Sequence, residues 1–179
     1  MPPAIAWAPV VWKSAMPIVD DAFWMRKAIA VATSEGSNPA SSPIGAIIVL
    51  DGRLIAAQRN QCDELHDATA HAEIMAIRKA GASIGNADLR GGTLYSTLQP
   101  CGMCTMATSW CKVRRVVFGA GREDVHAMYF EARHIDTLAF VTNAYRDDIE
   151  IEGGCLREAC AALYCGPHDD VPRGEQANM

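Results

Sequence analysis

The stretch TLYSTLQPCGMCTMATSWCKVRRVVF, Thr93 to Phe118, reads as strand, helix, strand. Thr93 to Leu98 has strand character, and Pro100 suits the first position of a helix that runs to about Cys111. Val113 to Phe118 is a short apolar run of the kind a sheet covers on both faces. Upstream, IGAIIVL (Ile44 to Leu50) is a second such strand. Asp51-Gly52 follows as a hairpin signal, with Arg53 to Gln58 as the returning strand. Thr69 to Ala80 reads as a helix. Ala22 to Thr33 reads as an amphipathic helix that Asp20 can cap, and the Gly-, Pro- and Ser-rich Ser34 to Pro43 as the loop after it. Downstream, Leu138 to Val141 is expected as a strand and Leu156 to Tyr164 as a helix. A helix, a hairpin, then alternating helices and strands imply an α/β three-layer sandwich.

Composition bounds what such a chain can do. Its 179 residues suit one domain, and 50% hydrophobic with 21% charged residues exclude wholesale disorder, a collagen-like repeat and a disulfide miniprotein. No apolar run approaches the roughly 18 residues of a membrane-spanning helix. The net charge of −5 runs against binding driven mainly by phosphate neutralisation. Residues 1–17, with four prolines and with Trp7 and Trp12, are expected to form an irregular arm. They do not read as a signal peptide, so the cytoplasm is the expected compartment, where thiols stay reduced. Residues 18–165 form the expected domain and 166–179 a polar tail.

The chemistry concentrates in His71-Ala72-Glu73 and Pro100-Cys101-Gly102-Met103-Cys104. This is the H-x-E…P-C-x-x-C pattern of zinc deaminases. Cys101 and Cys104, three apart at a helix start, can reach one ion, and the helix terminus favours their thiolates. His71 opens another helix and supplies a neutral third ligand. Two thiolates and an imidazole leave a tetrahedral zinc one open position, the layout of a catalytic site. Glu73 is placed to move protons beside it. A CxxC also fits a structural zinc site or a thioredoxin-like redox pair. The offset of Glu73, Pro100 and the strand–helix context favour the catalytic reading.

At these residues the chain resembles the cytidine/deoxycytidylate deaminase superfamily. The resemblance spans about Asp20 to Phe118 and is carried by PIGAIIV (Pro43 to Val49), Asn60, TAHAEIMAIR (Thr69 to Arg78), TLQPCGMC (Thr97 to Cys104) and RRVVFGA. Within it, the branch holding tRNA adenosine, guanine and yeast-type cytosine deaminases is the most similar. The resemblance implies an α/β/α sandwich around a central five-stranded mixed sheet. It implies one zinc per chain on His71, Cys101 and Cys104, with Glu73 as proton shuttle. Asn60 matches the asparagine that hydrogen-bonds the base, and Ala72 and Glu131 complete the expected substrate contacts. Ala68 departs from a frequent proline, Gln99 from a usual glutamate, and the chain after Gly119 follows no relative closely. Phe130-Glu131 is a possible analogue of the Phe and acidic residues found there in guanine deaminases.

Three functions follow in order. The first is hydrolytic deamination of a free nucleobase, nucleoside or related amino-heterocycle, guanine- or cytosine-like. The second is deamination of adenosine in tRNA. Relatives of that kind end in a basic helix, whereas this chain runs LREACAALYCGPHDD, so nucleic acid is the disfavoured partner despite Arg78-Lys79 and Arg114-Arg115. The third is a zinc-stabilised scaffold without activity. A homo-oligomer is expected and a membrane is not. His66, His126, His134 and His168 match no ligand spacing. Cys62, Cys111, Cys155, Cys160 and Cys165 are read as structural thiols, and Trp24 and Trp110 as core.

Overall fold

Asp20 starts the first helix, its carboxylate accepting from the Ala22 N–H at 3.1 Å, which satisfies one of the donors a helix start leaves open. The computed structural model describes residues 20–34, 42–130, 136–141, 143 and 148–172. In chain order these form α1 (Asp21–Ala32), β1 (Gly45–Leu50), β2 (Arg53–Arg59), α2 (Cys62–Leu65), α3 (Ala72–Ile84) and β3 (Thr93–Leu98). Then come α4 (Gly102–Trp110), β4 (Arg115–Ala120), α5 (Thr137–Phe140), β5 (Glu150–Glu152) and α6 (Arg157–Ala161). The expected arm at 1–17, the end of the expected tail, Glu131 and His134 lie outside the described residues.

The sheet has five strands in the order β2-β1-β3-β4-β5. β1 runs antiparallel to β2 and β3, while β3, β4 and β5 run parallel, so the sheet is mixed. Asp51 and Gly52 turn the hairpin with φ of 50° and 67°, the left-handed pair whose twist matches that of the strands.

Successive residues of a strand point to opposite faces, and β3 uses this to sort the helices. The Tyr95 hydroxyl donates to Asp21 of α1 at 2.8 Å. Its neighbour Ser96 donates to Glu73 of α3 at 3.1 Å. Hence α1 and α3 cover opposite faces. The Thr97 hydroxyl, on the Tyr95 side, lies 2.7 Å from that of Tyr164 just past α6, so α6 shares the face of α1. α4 packs beside α3. Met25, Ile47, Ile48, Leu94 and Val117 are sealed between these layers. A Cβ on Gly45 would sit 2.2 Å from the Ala28 carbonyl oxygen, so the glycine permits the close approach of α1 to β1.

Four expectations change. The helix read from Thr69 starts at Ala72, because the Asp67 carboxylate takes the Thr69 N–H at 2.8 Å and its hydroxyl at 2.7 Å in a turn of its own. Pro100 precedes α4 instead of opening it, since Cys101 is still extended at φ −69°, ψ 175°. Leu138 to Phe140 is helical, not a strand: Asp136 caps α5 by accepting from the Ala139 N–H at 2.9 Å. Trp24 is core, but Trp110 is 71% exposed. The buried positions of α4 are Cys104, Thr105, Thr108 and Ser109, and Trp110 falls off that face at the last turn. Among the described residues no helix is long and apolar enough to cross a membrane.

Arg115, at the start of β4, grips both oxygens of Asp21 at 2.6 and 2.7 Å and reaches Glu152 of β5 at 2.5 Å. This fork joins α1 to two parallel strands. The Arg115 guanidinium holds the Asp21 carboxyl below the usual carboxylate range, against the upward push of burial and with help from Tyr95. Asp21→Ala is expected to cost about 1.5–3 kcal/mol at pH 7, the range for hydrogen bonds to charged groups. The folded carboxyl titrates below the unfolded one, whose pKa is about 3.9. Its contribution is therefore full above that value and fades as pH falls through the depressed one. Urea unfolding of both proteins at pH 7 and pH 3 checks this: the gap narrows at pH 3, and an unchanged gap would remove the ion pair as its cause.

Candidate metal centre

Two helices begin at one end of the sheet, each immediately after an extended residue that carries a metal-ligating side chain. His71 precedes α3 at φ −60°, ψ 151°, and Cys101 precedes α4. Neither side chain caps its own helix. Cys101 follows the carboxyl end of β3, where α/β sheets characteristically open their crevices. Cys104, one turn into α4, is buried. The His71 Nδ1 lies 3.6 Å from the sulfur of Cys101 and 3.6 Å from that of Cys104. All three ligand atoms lie within 4.8 Å of one another.

This donor set fits zinc. Tetrahedral zinc with bonds of about 2.3 Å to sulfur and about 2.0–2.1 Å to nitrogen holds those atoms about 3.6 Å apart. His71, Cys101 and Cys104 could therefore hold a zinc ion with little movement. A hydrogen bond from Cys104 pulls Cys101 down to about 4, helped by His71. The same bond, together with burial and the Glu73 charge, pushes Cys104 well above its ordinary value.

Glu73, in the first turn of α3, is 3% exposed. Ser96 donates to its Oε1, and the Cys104 sulfur lies 3.5 Å from Oε2. Burial, joined by the charge of Cys101, pushes its carboxyl up. Ala72 opens the same helix and is fully buried. Asn60 stands just past β2 on a backbone pinned by its N–H to Ile44 O at 2.9 Å. The next residue, Gln61, donates to Ala70 O at 3.0 Å, one position before His71. The Asn60 loop is thus stitched to the segment that delivers His71. The structure brings His71, Glu73, Cys101 and Cys104 together.

Sequence reasoning missed Ser96, because Thr97 beside it is equally buried and nothing local tells which hydroxyl faces α3. The Cys62 thiol, read as structural, donates to Asn60 Oδ1 at 3.1 Å. Gln99, flagged as a departure, accepts from the Arg122 N–H at 3.3 Å and holds the turn after β4. His126 accepts from the Met128 N–H, a local cap.

The family model described as the cytidine and deoxycytidylate deaminase zinc-binding region matches residues 18–120. A tRNA-specific adenosine deaminase of Buchnera aphidicola is 36% identical over 143 residues, 80% of this chain and 90% of that protein. One from Agrobacterium fabrum is 47% identical over 97 residues, 54% of this chain and 63% of that protein's length. A solved tRNA:A34 deaminase, studied for A-to-I editing at the wobble position of transfer RNA, superposes with TM-score 0.64 at 35% identity, over 79% of this chain and 98% of that one. A guanine deaminase from Nitrosomonas europaea superposes with TM-score 0.60 at 28% identity, over 79% of this chain and 76% of that one.

Purified protein is expected to carry about one zinc per chain, and Cys101→Ala or Cys104→Ala to lose it. Zinc binds thiolates and a neutral imidazole, so its affinity falls as falling pH protonates these ligands. Competition with a chromogenic chelator at pH 8 and pH 6 measures both effects. Full zinc content in Cys104→Ala would remove that residue from the ligand set.

Proposed function

This chain belongs to the cytidine and deoxycytidylate deaminase zinc-binding family, and from that footing we propose that it deaminates adenosine to inosine in a transfer RNA. The observation that carries the reading is the match to a tRNA-specific adenosine deaminase across nine-tenths of that protein's length. It reverses the order that charge suggested, in which a free heterocycle came first and nucleic acid was disfavoured. A net charge of −5 averages the whole chain; a substrate meets only the rim of one site, where a few cations suffice. A cytoplasmic location and self-association are part of the same proposal.

The reaction exchanges the exocyclic amine at C6 of adenine for oxygen from water. A C6–O bond forms, the C6–N bond breaks, and ammonia leaves. His71, Cys101 and Cys104 hold the zinc, which when bound lowers the pKa of a water to about 7 and so makes a nucleophile available at neutral pH. Glu73 moves the protons. Its carboxylate takes one from the attacking water and passes it to the ring nitrogen beside C6, then delivers the second to the departing amine. Ser96 fixes one carboxylate oxygen and leaves the other to exchange protons. Enclosure of Glu73 excludes bulk water and strengthens each of these contacts. Asn60 and the buried start of α3 at Ala72 meet the base.

Inosine formation in an anticodon stem-loop, measured beside ammonia release from free adenine, guanine and cytosine, tests the reading. Conversion of the stem-loop is expected, with affinity falling steeply as salt rises, because bound phosphates release counterions. Turnover of a free base and none of the stem-loop would overturn it in favour of the free-heterocycle enzyme. Glu73→Ala is expected to keep its zinc and lose at least about 10²-fold in turnover. Unchanged turnover would take Glu73 out of the mechanism.

A further inference from the structure

The backbone of Asn60 is held on every side. Its N–H donates to Ile44 O, its carbonyl accepts from Arg59 Nη1 at 3.0 Å, and the following N–H is bound to Ala70. What remains free to vary is the carboxamide, whose two ends are nearly equal in size and opposite in chemistry. One is an acceptor oxygen and the other an NH2 with two donors, and half a turn about the last torsion exchanges them. The Cys62 thiol, two residues on, lies 3.1 Å from Oδ1 and donates to it. Among the described residues no side chain accepts from Nδ2 of Asn60, so those donors are left for a ligand.

We propose, resting on the reading of Asn60 as the base contact, that Cys62 is a positioning residue for base recognition, its thiol holding Oδ1 of Asn60 so that the carboxamide presents its NH2 to the substrate. Adenine needs that orientation. Apart from the amine that leaves, its ring edge offers only nitrogen acceptors, which pair with a donor. Guanine also carries a ring N–H, which would pair with the carbonyl instead. Cys62 acts through Asn60 and touches no reacting atom. Its thiol also keeps the proton it donates: burial and the nearby charges of Asp63 and Asp67 push it above its ordinary value. A thiolate would attract the NH2 end and turn the carboxamide over.

The test compares Cys62→Ala, which removes the donor, with Cys62→Ser, which keeps one, by stem-loop kinetics and by the Asn60 side-chain NH2 signal in 15N–1H spectra of the zinc-loaded protein. The signal is identified by its loss in Asn60→Ala. Cys62→Ala is expected to raise KM about threefold or more with kcat and zinc content held, and to shift or broaden the NH2 pair. Cys62→Ser is expected to stay within about twofold of the parent and keep the pair sharp. In the Asn60→Ala background, Cys62→Ala should add nothing further, as coupled neighbours require. An equal KM penalty in that background, or an NH2 pair unmoved in Cys62→Ala, overturns the proposal. If the parent protein converts no stem-loop, the tRNA reading fails on its own, and the NH2 pair alone decides whether Cys62 orients Asn60.

Discussion

The hydrogen bond from Ser96 to Glu73 ties the middle of the sheet to the buried carboxylate beside the metal-ligating cluster. A carboxyl group enclosed by protein is costly unless its oxygens are partnered. Ser96 can serve only if β3 holds its register between β1 and β4, because a slip by one residue would aim Tyr95 or Thr97 at α3 instead. The same register sends Tyr95 to Asp21 and Thr97 to Tyr164 on the other face. One strand thus positions Glu73 and anchors both helices behind it.

The metal cluster depends on a second constraint, the place where two helices begin. Had α3 started at Thr69 as periodicity suggests, His71 would point wherever the helical screw sent it. Asp67 delays the start by capturing Thr69, and His71 stays extended with its ring facing the thiols. Pro100 has the matching effect on the other side, since a residue without an N–H marks the boundary between β3 and α4. A ligand on the last extended residue before a helix is held by strand geometry on one side and helix geometry on the other.

The face behind the sheet supplies rigidity. α1 closes to within a glycine's reach of β1 at Gly45, and α6 does the same to β4 at Gly119, where a Cβ would meet Cys160 Sγ at 2.2 Å. Arg115 binds Asp21 and Glu152 and so fastens α1 to the parallel strands. These contacts keep β3 and β4 from shifting, and Cys101 leaves the carboxyl end of β3. The site is precise because nothing in it stands on a long unsupported loop.

Local chemistry was legible from residues 20 to 118. Alternating apolar runs, the Asp-Gly turn and the spacing of His71, Glu73, Cys101 and Cys104 are set by neighbours a few positions apart, so the strands of the hairpin, β3 and the ligand set could all be read. Beyond Gly119 the signals thin, and β5 was missed because three residues, Glu150–Glu152, carry no period of their own. They become a strand only by pairing with β4. The contacts from Ser96 to Glu73, Cys62 to Asn60 and Arg115 to Asp21 span gaps from two residues to ninety-four. The sequence by itself determined which groups could do the chemistry, because that depends on residue type and short spacing. Only the tertiary structure decided that Ser96 holds Glu73 and that Arg115 fastens α1 behind the sheet, because partners distant in the chain meet only through the sheet register and the layering of helices on its two faces.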